Sequence, residues 1–587
     1  MATPQANYEE VETDVLVIGA GGAGMRGAIA AAEAGLRVLV VCKSLLGKAH
    51  TVMAEGGMAA ALGNVAKPDS WKTHFSDTMK GGKLLNNWRM AEMHAKEAPE
   101  RVLELERWGA VFDRNQGGLI HQRSFGGHTY PRLAHIGDRT GLELIRSLQD
   151  HLVHQPGVDV HMETTCTRLL VQDGRVQGAV AYSRHDGRLI VYKARAVLLA
   201  SGGLGKIYRV TSNSWESTGD GSAMALAAGA ILQDSEMVQF HPTGMVWPPG
   251  VRGILVTEGV RGEGGLLRNK DGERFMEKYD PERMELSTRD VVARSINQEV
   301  IEGRGSPHGG AFLDISHRPR EFILNKLPSM WEQFHQLADI DITREPMEVA
   351  PTIHYSMGGV RVDPENGATN LEGLFAAGEV ACGLHGANRL GGNSLSDLLV
   401  FGKRAGDGAA AYVAEGRKEA AVSRGQVDDF IGFTLGPLQG DGGDNPYALH
   451  AELQDTLTRY APIIRDDHGL RIGLEKVKDL QERAGKVGTG GQSGRSFNPG
   501  WHAALDLRSM VDNAEGVFLC AIERRESRGA HTRRDYPEPD PELGNVNFIV
   551  KREGRETEVD SLPKEPIPAD YQEIIDSSWT KDYVRED

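Results

Sequence analysis

The chain has 587 residues and a mass of 63.9 kDa, enough for several domains or for one large domain with insertions. Hydrophobic residues make up 40% and charged residues 25%, an ordinary globular composition that excludes a disordered chain. The net charge of −16 and a pI near 5.7 argue against a general nucleic-acid binder. One count departs from the ordinary: glycine occurs 72 times, about 12% against an average near 7%. There is no three-residue glycine period, so a collagen-like chain is excluded, and the positions of these glycines become the question.

The first residues, MATPQANYEEVETD, are polar and acidic, unlike a secretory signal or a mitochondrial transit peptide. Thr13 to Ile18 is an apolar, β-branched run and predicts a buried strand. GAGGAG follows at once, then an Ala-rich helix that ends at Gly35, then RVLVVCK, a second strand. Gly19, Gly21 and Gly24 form G-x-G-x-x-G in this βαβ opening. Gly19 permits the tight turn, Gly21 admits a pyrophosphate to the backbone, and Gly24 lets helix and strand pack closely. The acidic ribose ligand that such a site carries at the end of its second strand is missing; Cys42 and Lys43 stand there. That disfavours NAD and leaves FAD, with the ribose held elsewhere.

Strand-like pieces alternate with turns from Val158 to Ala200. Residues from about Gln239 to Pro351 are irregular in pattern and rich in His, Arg, Glu and Gly, which suggests an inserted domain. Strand and helix alternation returns at GLFAAGEV and runs into a helix after Asn393. Residues 445–527 read as helical, and from Tyr536 the chain is Pro-rich and acidic. Cys42, Cys166, Cys382 and Cys520 stand alone without a CxxC, so this chain encodes neither an iron–sulfur nor a zinc site, and the usage fits a reducing cytoplasm. No run of about 18 apolar residues predicts a transmembrane helix.

Five strings follow in order: HPTG, TEGVRGEGG, STRDVVAR, APTIHYSMGG and HGANRLGGNS, preceded by AHTVMAEGG. With them the chain, from about residue 12 to about 535, resembles the flavoprotein subunit of succinate dehydrogenase and fumarate reductase. The resemblance implies an α/β fold: a Rossmann-like FAD-binding domain in two segments (1–238 and 352–417), an inserted α+β capping domain (239–351), a helical domain (418–535) and an irregular C-terminal tail (536–587). It implies that His50 carries FAD covalently through the flavin ring methyl. Lys43, Ser44, Thr51, Gly56, Gly57, Asp220, Glu379, Ser394 and Leu395 then bind the cofactor with the glycine loop, and Glu379 is a source for the missing ribose contact. Glu55, where relatives that mainly oxidise succinate often have Gln, tilts the reading toward fumarate reduction through a carboxylate near the flavin.

By the same resemblance, His241 and Thr257 hold one end of a four-carbon dicarboxylate, and His354 and Arg389 the other; guanidinium suits a carboxylate because it binds bidentately. Arg289 corresponds to the catalytic proton donor and acceptor, and Glu258 and Arg261 to its relay. Free Arg stays protonated, with a pKa above about 12, so accepting a proton requires desolvation and a neighbouring cation. The implied activity is succinate–fumarate interconversion by hydride transfer, coupled to proton transfer at the adjacent carbon. The implied partners are an iron–sulfur subunit, then membrane anchor subunits with quinone, in complex II at the cytoplasmic face of the inner (plasma) membrane. A stand-alone oxidase of the L-aspartate oxidase type is the alternative, and His50 argues against it. The string ERRESRGAHTRRD, with Arg524, Arg525, Arg528, Arg533 and Arg534, resembles the family's C-terminal ESRGAH string; cofactor, partner and solvent are all open as what it faces, and a structural role is expected.

Overall fold

In the computed structural model, residues 7–416, 422–440, 443–554 and 556–577 are described. The organising element is a seven-stranded sheet. The strand Tyr8–Ile18 pairs in parallel with Val38–Val41, which pairs in parallel with Val158–His161. On its other side it pairs in parallel with Leu189–Leu199. At that last strand the sheet branches. Its first half joins the antiparallel strands Arg175–Ser183 and Thr164–Gln172, and its second half pairs in parallel with Leu374–Ala376. The strands of the parallel part are continuous apolar runs because helices cover them.

The helix Gly22–Glu33 follows the first strand, with ten of its residues buried. It lies against the helix Asn393–Ala414 with almost no side chains between them. A Cβ on Gly406 would come within 2.3 Å of the Gly27 carbonyl oxygen, and one on Gly402 within 2.8 Å of the Ala23 carbonyl oxygen. Small residues permit this backbone-to-backbone approach. The contact places the start of the second helix beside the glycine loop, although the two are more than 370 residues apart in sequence.

The segment expected as an insertion carries its own four-stranded sheet, in the order Val238–Met245, Met347–Ser356, Ala311–Asp314 and Leu266–Arg268. A separate apolar core, including Leu267, Val292, Ile296, Leu313 and Met347, lies beneath it. The helices Pro446–Tyr460, Asp467–Lys486 and Pro499–Glu523 pack on one another around Leu453, Leu470, Val477 and Phe518, as the helical reading of 445–527 anticipates.

The C-terminal segment is not an irregular tail. Val546–Glu553 and Glu556–Pro563 form a β-hairpin whose first strand adds to Leu232–Gln233. The helix Ala569–Asp576 then packs Ile575 and Tyr571 against Trp71–Gly81 and Trp88. Only Phe548, Ile549 and Val550 of the hairpin are buried, so its apolar signal is too short to read from sequence. Arg524 is fully buried where this hairpin docks. It reaches Asp234 and Glu526 at 3.0 Å and also Glu236, while Asp234 accepts the Phe548 N–H at 3.0 Å. Arg533 is likewise buried, with Asp535 at 2.7 Å. The arginine-rich string is therefore structural in these two residues.

Removing Arg524 would take a guanidinium from three buried carboxylates, of which Glu526 alone keeps another, Arg528. Arg524→Leu is expected to destabilise the chain by about 3–5 kcal/mol, the usual cost of breaking a buried ionic cluster from one side. The check is the thermal midpoint of the purified chain; a midpoint equal to that of the parent would contradict this role.

Candidate active site

A long cleft runs from the glycine loop to the inserted segment, lined by Gly19, Gly21, Lys43, Ser44, His50, Thr51, Asp220, Glu379, Ser394, Leu395 and His354. Gly19 sits at φ +116°, and a Cβ there would meet the Ala200 carbonyl oxygen at 2.2 Å, so only glycine closes this turn. Gly24 is bare for packing, since a Cβ would come within 1.9 Å of the Gly19 carbonyl oxygen. Gly21 has open space: its nearest neighbours would be Thr51 Oγ1 at 3.5 Å and Ala49 Cβ at 3.7 Å. The N-cap residue Gly21 has no side chain, and the Gly22 N–H donates to Thr51 Oγ1 at 3.4 Å; the Ala23 and Gly24 N–H groups that follow and the positive end of the helix dipole suit a pyrophosphate. The donor set and this bare cradle fit FAD.

At the end of the second strand Lys43 Nζ lies 2.9 Å from Asp220 Oδ2, 2.8 Å from Asp506 Oδ1 and 2.8 Å from Thr218 Oγ1. The acidic groups missing there in sequence are thus brought in from far along the chain. Glu379 is not one of them. Its Oε1 accepts the Ser356 N–H at 2.9 Å, two residues from His354, and burial raises its carboxyl to about 7. Gly56 and Gly57 do not line the cleft. The Phe125 ring occupies the space of a Gly56 Cβ (2.7 Å), and the Ala134 carbonyl oxygen that of a Gly57 Cβ (2.9 Å). Glu55 beside them is half-buried, and desolvation, reinforced by Asp138 and opposed by Arg123, holds its carboxyl well above the usual range. It therefore tends to the neutral form, which weakens the charge effect assigned to it from sequence.

His50 lies in the short turn His50–Met53. Its Nδ1 accepts the Ser214 N–H at 3.3 Å, and Asn213 Nδ2 is 3.4 Å from its Nε2. Burial lowers its pKa to about 4 although Glu216 opposes the shift, so the imidazole is neutral at physiological pH. Asn213 also donates to the His354 carbonyl at 2.8 Å, tying the two ends of the cleft together.

His241 and His354 stand on adjacent strands, with ring centroids 5.0 Å apart. The pairing of these strands slips twice. Gln239 faces Tyr355 and Phe240 faces Ile353, which makes His354 the extra residue of a β-bulge. A second irregularity falls between His241 and Gly244. Bulges re-aim side chains that strict alternation would place otherwise. Thr257 follows a segment bonded to Thr243: the Val256 N–H donates to the Thr243 carbonyl at 3.0 Å.

Glu258, Arg261 and Arg289 meet in the interior. Arg289 Nε donates to Glu258 Oε2 at 2.8 Å, Arg261 Nη2 lies 3.6 Å from the same oxygen, and the Gly126 N–H donates to Oε1 at 2.8 Å. Burial alone would raise Glu258, but Arg261 and Arg289 hold it below the usual carboxylate range. Arg389 Nη1 donates to Ser394 Oγ at 2.8 Å, and its guanidinium lies 4.4 Å from the Tyr355 ring centre. Burial, with Arg289 adding, lowers Arg389 to about 9, still cationic at neutral pH. Burial and the neighbouring arginines press both histidines well below their ordinary pKa, and His241 adds to the effect on His354. Three guanidiniums thus gather near Glu258 among neutral histidines, with Glu379 also acting on Arg389 and Glu285 on Arg261. The enclosure is rich in positive charge and suits a small dianion.

Gln239 escapes sequence reasoning. Its Oε1 accepts from Arg289 Nη1 at 3.3 Å, and its Nε2 donates to the Arg389 carbonyl at 2.7 Å and to Asn388 Oδ1 at 3.0 Å. It fixes the two arginines relative to each other. Phe125, Gly126, Ser212, Asn213 and Asp506 are missed as well; no motif marks them, and each reaches the site only through folding.

A family model for an FAD binding domain matches residues 14–395, and one for the fumarate reductase flavoprotein C-terminus matches residues 450–578. The chain is 46% identical over 535 residues to one subunit of the fumarate reductase (CoM/CoB) of Methanothermobacter marburgensis, covering 91% of this chain and 96% of that one. Among solved structures, Mycobacterium smegmatis Sdh1 in complex with UQ1 is 53% identical with a TM-score of 0.86, covering 95% of each chain. Escherichia coli quinol fumarate reductase FrdA is 34% identical with a TM-score of 0.90, covering 95% of this chain and 99% of that one. These likenesses favour the main reading over an L-aspartate oxidase. The chain belongs to the flavoprotein-subunit family of succinate dehydrogenase and fumarate reductase, an oxidoreductase family built on an FAD-binding domain.

Proposed function

We propose that this chain is the catalytic subunit that interconverts succinate and fumarate, with FAD attached to His50. The observation that carries the reading is the buried cluster of Arg261, Arg289 and Arg389 around one bonded carboxylate, which suits a dicarboxylate dianion. His241 and Thr257 hold one carboxylate, and His354 and Arg389 the other. The neutral histidines donate hydrogen bonds without adding charge, and Arg389 supplies the countercharge. Bound FAD supplies hydride acceptance and donation. Gly19, Gly21 and Gly24 with the following helix start hold its pyrophosphate, and Lys43, Ser44, Thr51, Asp220, Glu379, Ser394 and Leu395 hold the rest, with Gly56 and Gly57 shaping the loop.

Arg289 exchanges the proton at the substrate carbon. Glu258 takes its Nε and Gln239 its Nη1, which leaves Nη2 for the substrate. Glu258 then passes the proton toward Arg261, whose Nη2 lies 3.6 Å from Glu258 Oε2. The cap, residues 239–351, brings His241, Thr257, Glu258, Arg261 and Arg289, whereas Arg389 comes from the FAD-binding side (1–238 and 352–417), so closure of the cap completes the site.

Electrons leave through an iron–sulfur subunit to a membrane anchor and quinone, at the cytoplasmic face of the membrane. This is supported by the relatives, one a quinol fumarate reductase and one solved with UQ1, and by the fact that no helix among the described residues is long and apolar enough to cross a membrane.

Arg289→Gln is expected to bind dicarboxylate while turnover falls by about 10²–10⁴-fold, the span typical of a lost general acid. Isothermal titration beside dye-linked succinate and viologen-linked fumarate assays checks it, and parent-like turnover would end the assignment. Acid-precipitated protein should stay yellow, and His50→Ser should release its flavin. With His50 near a pKa of about 4, the imidazole is already neutral at pH 6, so the rate of flavin attachment should be flat between about pH 6 and pH 8. A rate that halves near pH 6.5 would show an ordinary histidine instead.

A further inference from the structure

The helix Pro499–Glu523 lies outside the segment matched by the FAD-binding family model, yet it contacts residues that line the cofactor cleft. Its Leu507, Val511, Ala514 and Phe518 pack into the helical core. Another stripe of the same helix is polar and turned toward the FAD-binding sheet. His502, Asp506 and Asn513 recur at i, i+4 and i+11, within about 40° of one another around the helix axis. Each has a partner there. His502 Nδ1 meets Tyr182 Oη at 3.0 Å. Asn513 donates to the Gly219 carbonyl at 2.9 Å and accepts from Ser222 Oγ at 2.7 Å, gripping the loop that carries Asp220. Asp506 stands 2.8 Å from Lys43 Nζ.

Polar groups turned into a domain contact cost desolvation unless they are satisfied and useful. Here they act on one place. Lys43 and Asp220 line the cleft, whereas Asp506 lies behind Lys43 and does not. Lys43 is divided between two carboxylates: Asp220 engages it through Oδ2 and accepts from Thr218 Oγ1 on Oδ1 at 3.0 Å. Asp506 shares the ammonium with Asp220. Without it, Lys43 would be left to Asp220 and Thr218 alone, and this pair on the cleft wall would lose the contact that fixes it from behind.

We propose that Asp506 is a positioning residue of the adenosine end of the FAD site, and that with Asn513 it makes the C-terminal helix a structural part of that site. The acidic function absent from the end of the second strand is met by Asp220, held in place from the far end of the chain. FAD binding and docking of the C-terminal helical domain are then reciprocally linked: each stabilises the other. The proposal rests on the FAD reading of the cleft.

The test uses the full chain in a His50→Ser background, where FAD binds reversibly. FAD is titrated by quenching of its fluorescence, and the rise in thermal midpoint that FAD produces is recorded. Asp506→Asn, which keeps size and removes charge, should weaken FAD binding by about tenfold or more, the scale on which outer-shell partners of ligating groups act. It should also shrink the FAD-induced rise in midpoint. Asp506→Glu should restore most of both. If Asp506→Ala does not fold, the Asn and Glu variants carry the test alone. FAD affinity in Asp506→Asn within twofold of the parent overturns the proposal. A His50→Ser parent that binds no FAD overturns the cofactor reading itself, which separates the two failures.

Discussion

The structure is organised around uncompensated buried charge. Arg261, Arg289 and Arg389 are each nearly removed from solvent, and Glu258 is the carboxylate bonded among them. Such a cluster repels itself at low dielectric, and burial with that repulsion pushes Arg389 down to about 9. It persists because each group is held by a neighbour that cannot move independently: Glu258 by the Gly126 backbone, Arg289 by Gln239, Arg389 by Ser394. A ligand with two negative charges relieves the repulsion, so affinity for a dianion is stored in the fold before any ligand arrives.

Holding that cluster demands a rigid junction between two bodies of the chain. Part of the rigidity comes from backbone packed on backbone, where Gly27, Gly402 and Gly406 let two long helices touch and set Ser394 beside the glycine loop. Part comes from aromatic filling: the Phe125 ring lies where Cβ atoms of both Gly56 and Gly391 would be, at 2.7 and 2.5 Å. The glycine excess therefore has two sources. Gly21 leaves room beside the cofactor cleft, but Gly19, Gly56, Gly402 and Gly406 make room for the protein itself.

The sequence showed the βαβ opening and its phosphate cradle, because a strand, a glycine turn and a helix are contiguous and their spacing is fixed by local geometry. It also showed the helical stretch beyond residue 445, whose periodic apolar faces extend over many turns. The strings around His50, His241, Arg289, His354 and Arg389 were readable as a family pattern, and the fold brings His241, Arg289, His354 and Arg389 together. The hairpin near the C-terminus was not readable, since just three consecutive residues of it are buried. For Glu379 a motif gave the residue type, but its position beside Ser356 on the wall of the cleft came only from folding.

What the sequence determined alone is what depends on neighbours along the chain: the strand–turn–helix unit, the residue types of the site and the class of ligand they suit. What only the tertiary structure decided is which distant groups share a space. The two irregularities that bring His241 and His354 together break the two-residue rhythm on which strand reading relies. Gln239, Gly126 and Asp506 carry no motif, and they matter through contacts across 50 to more than 400 positions. Such contacts arise from packing, and packing leaves no local signature in a chain read one residue at a time.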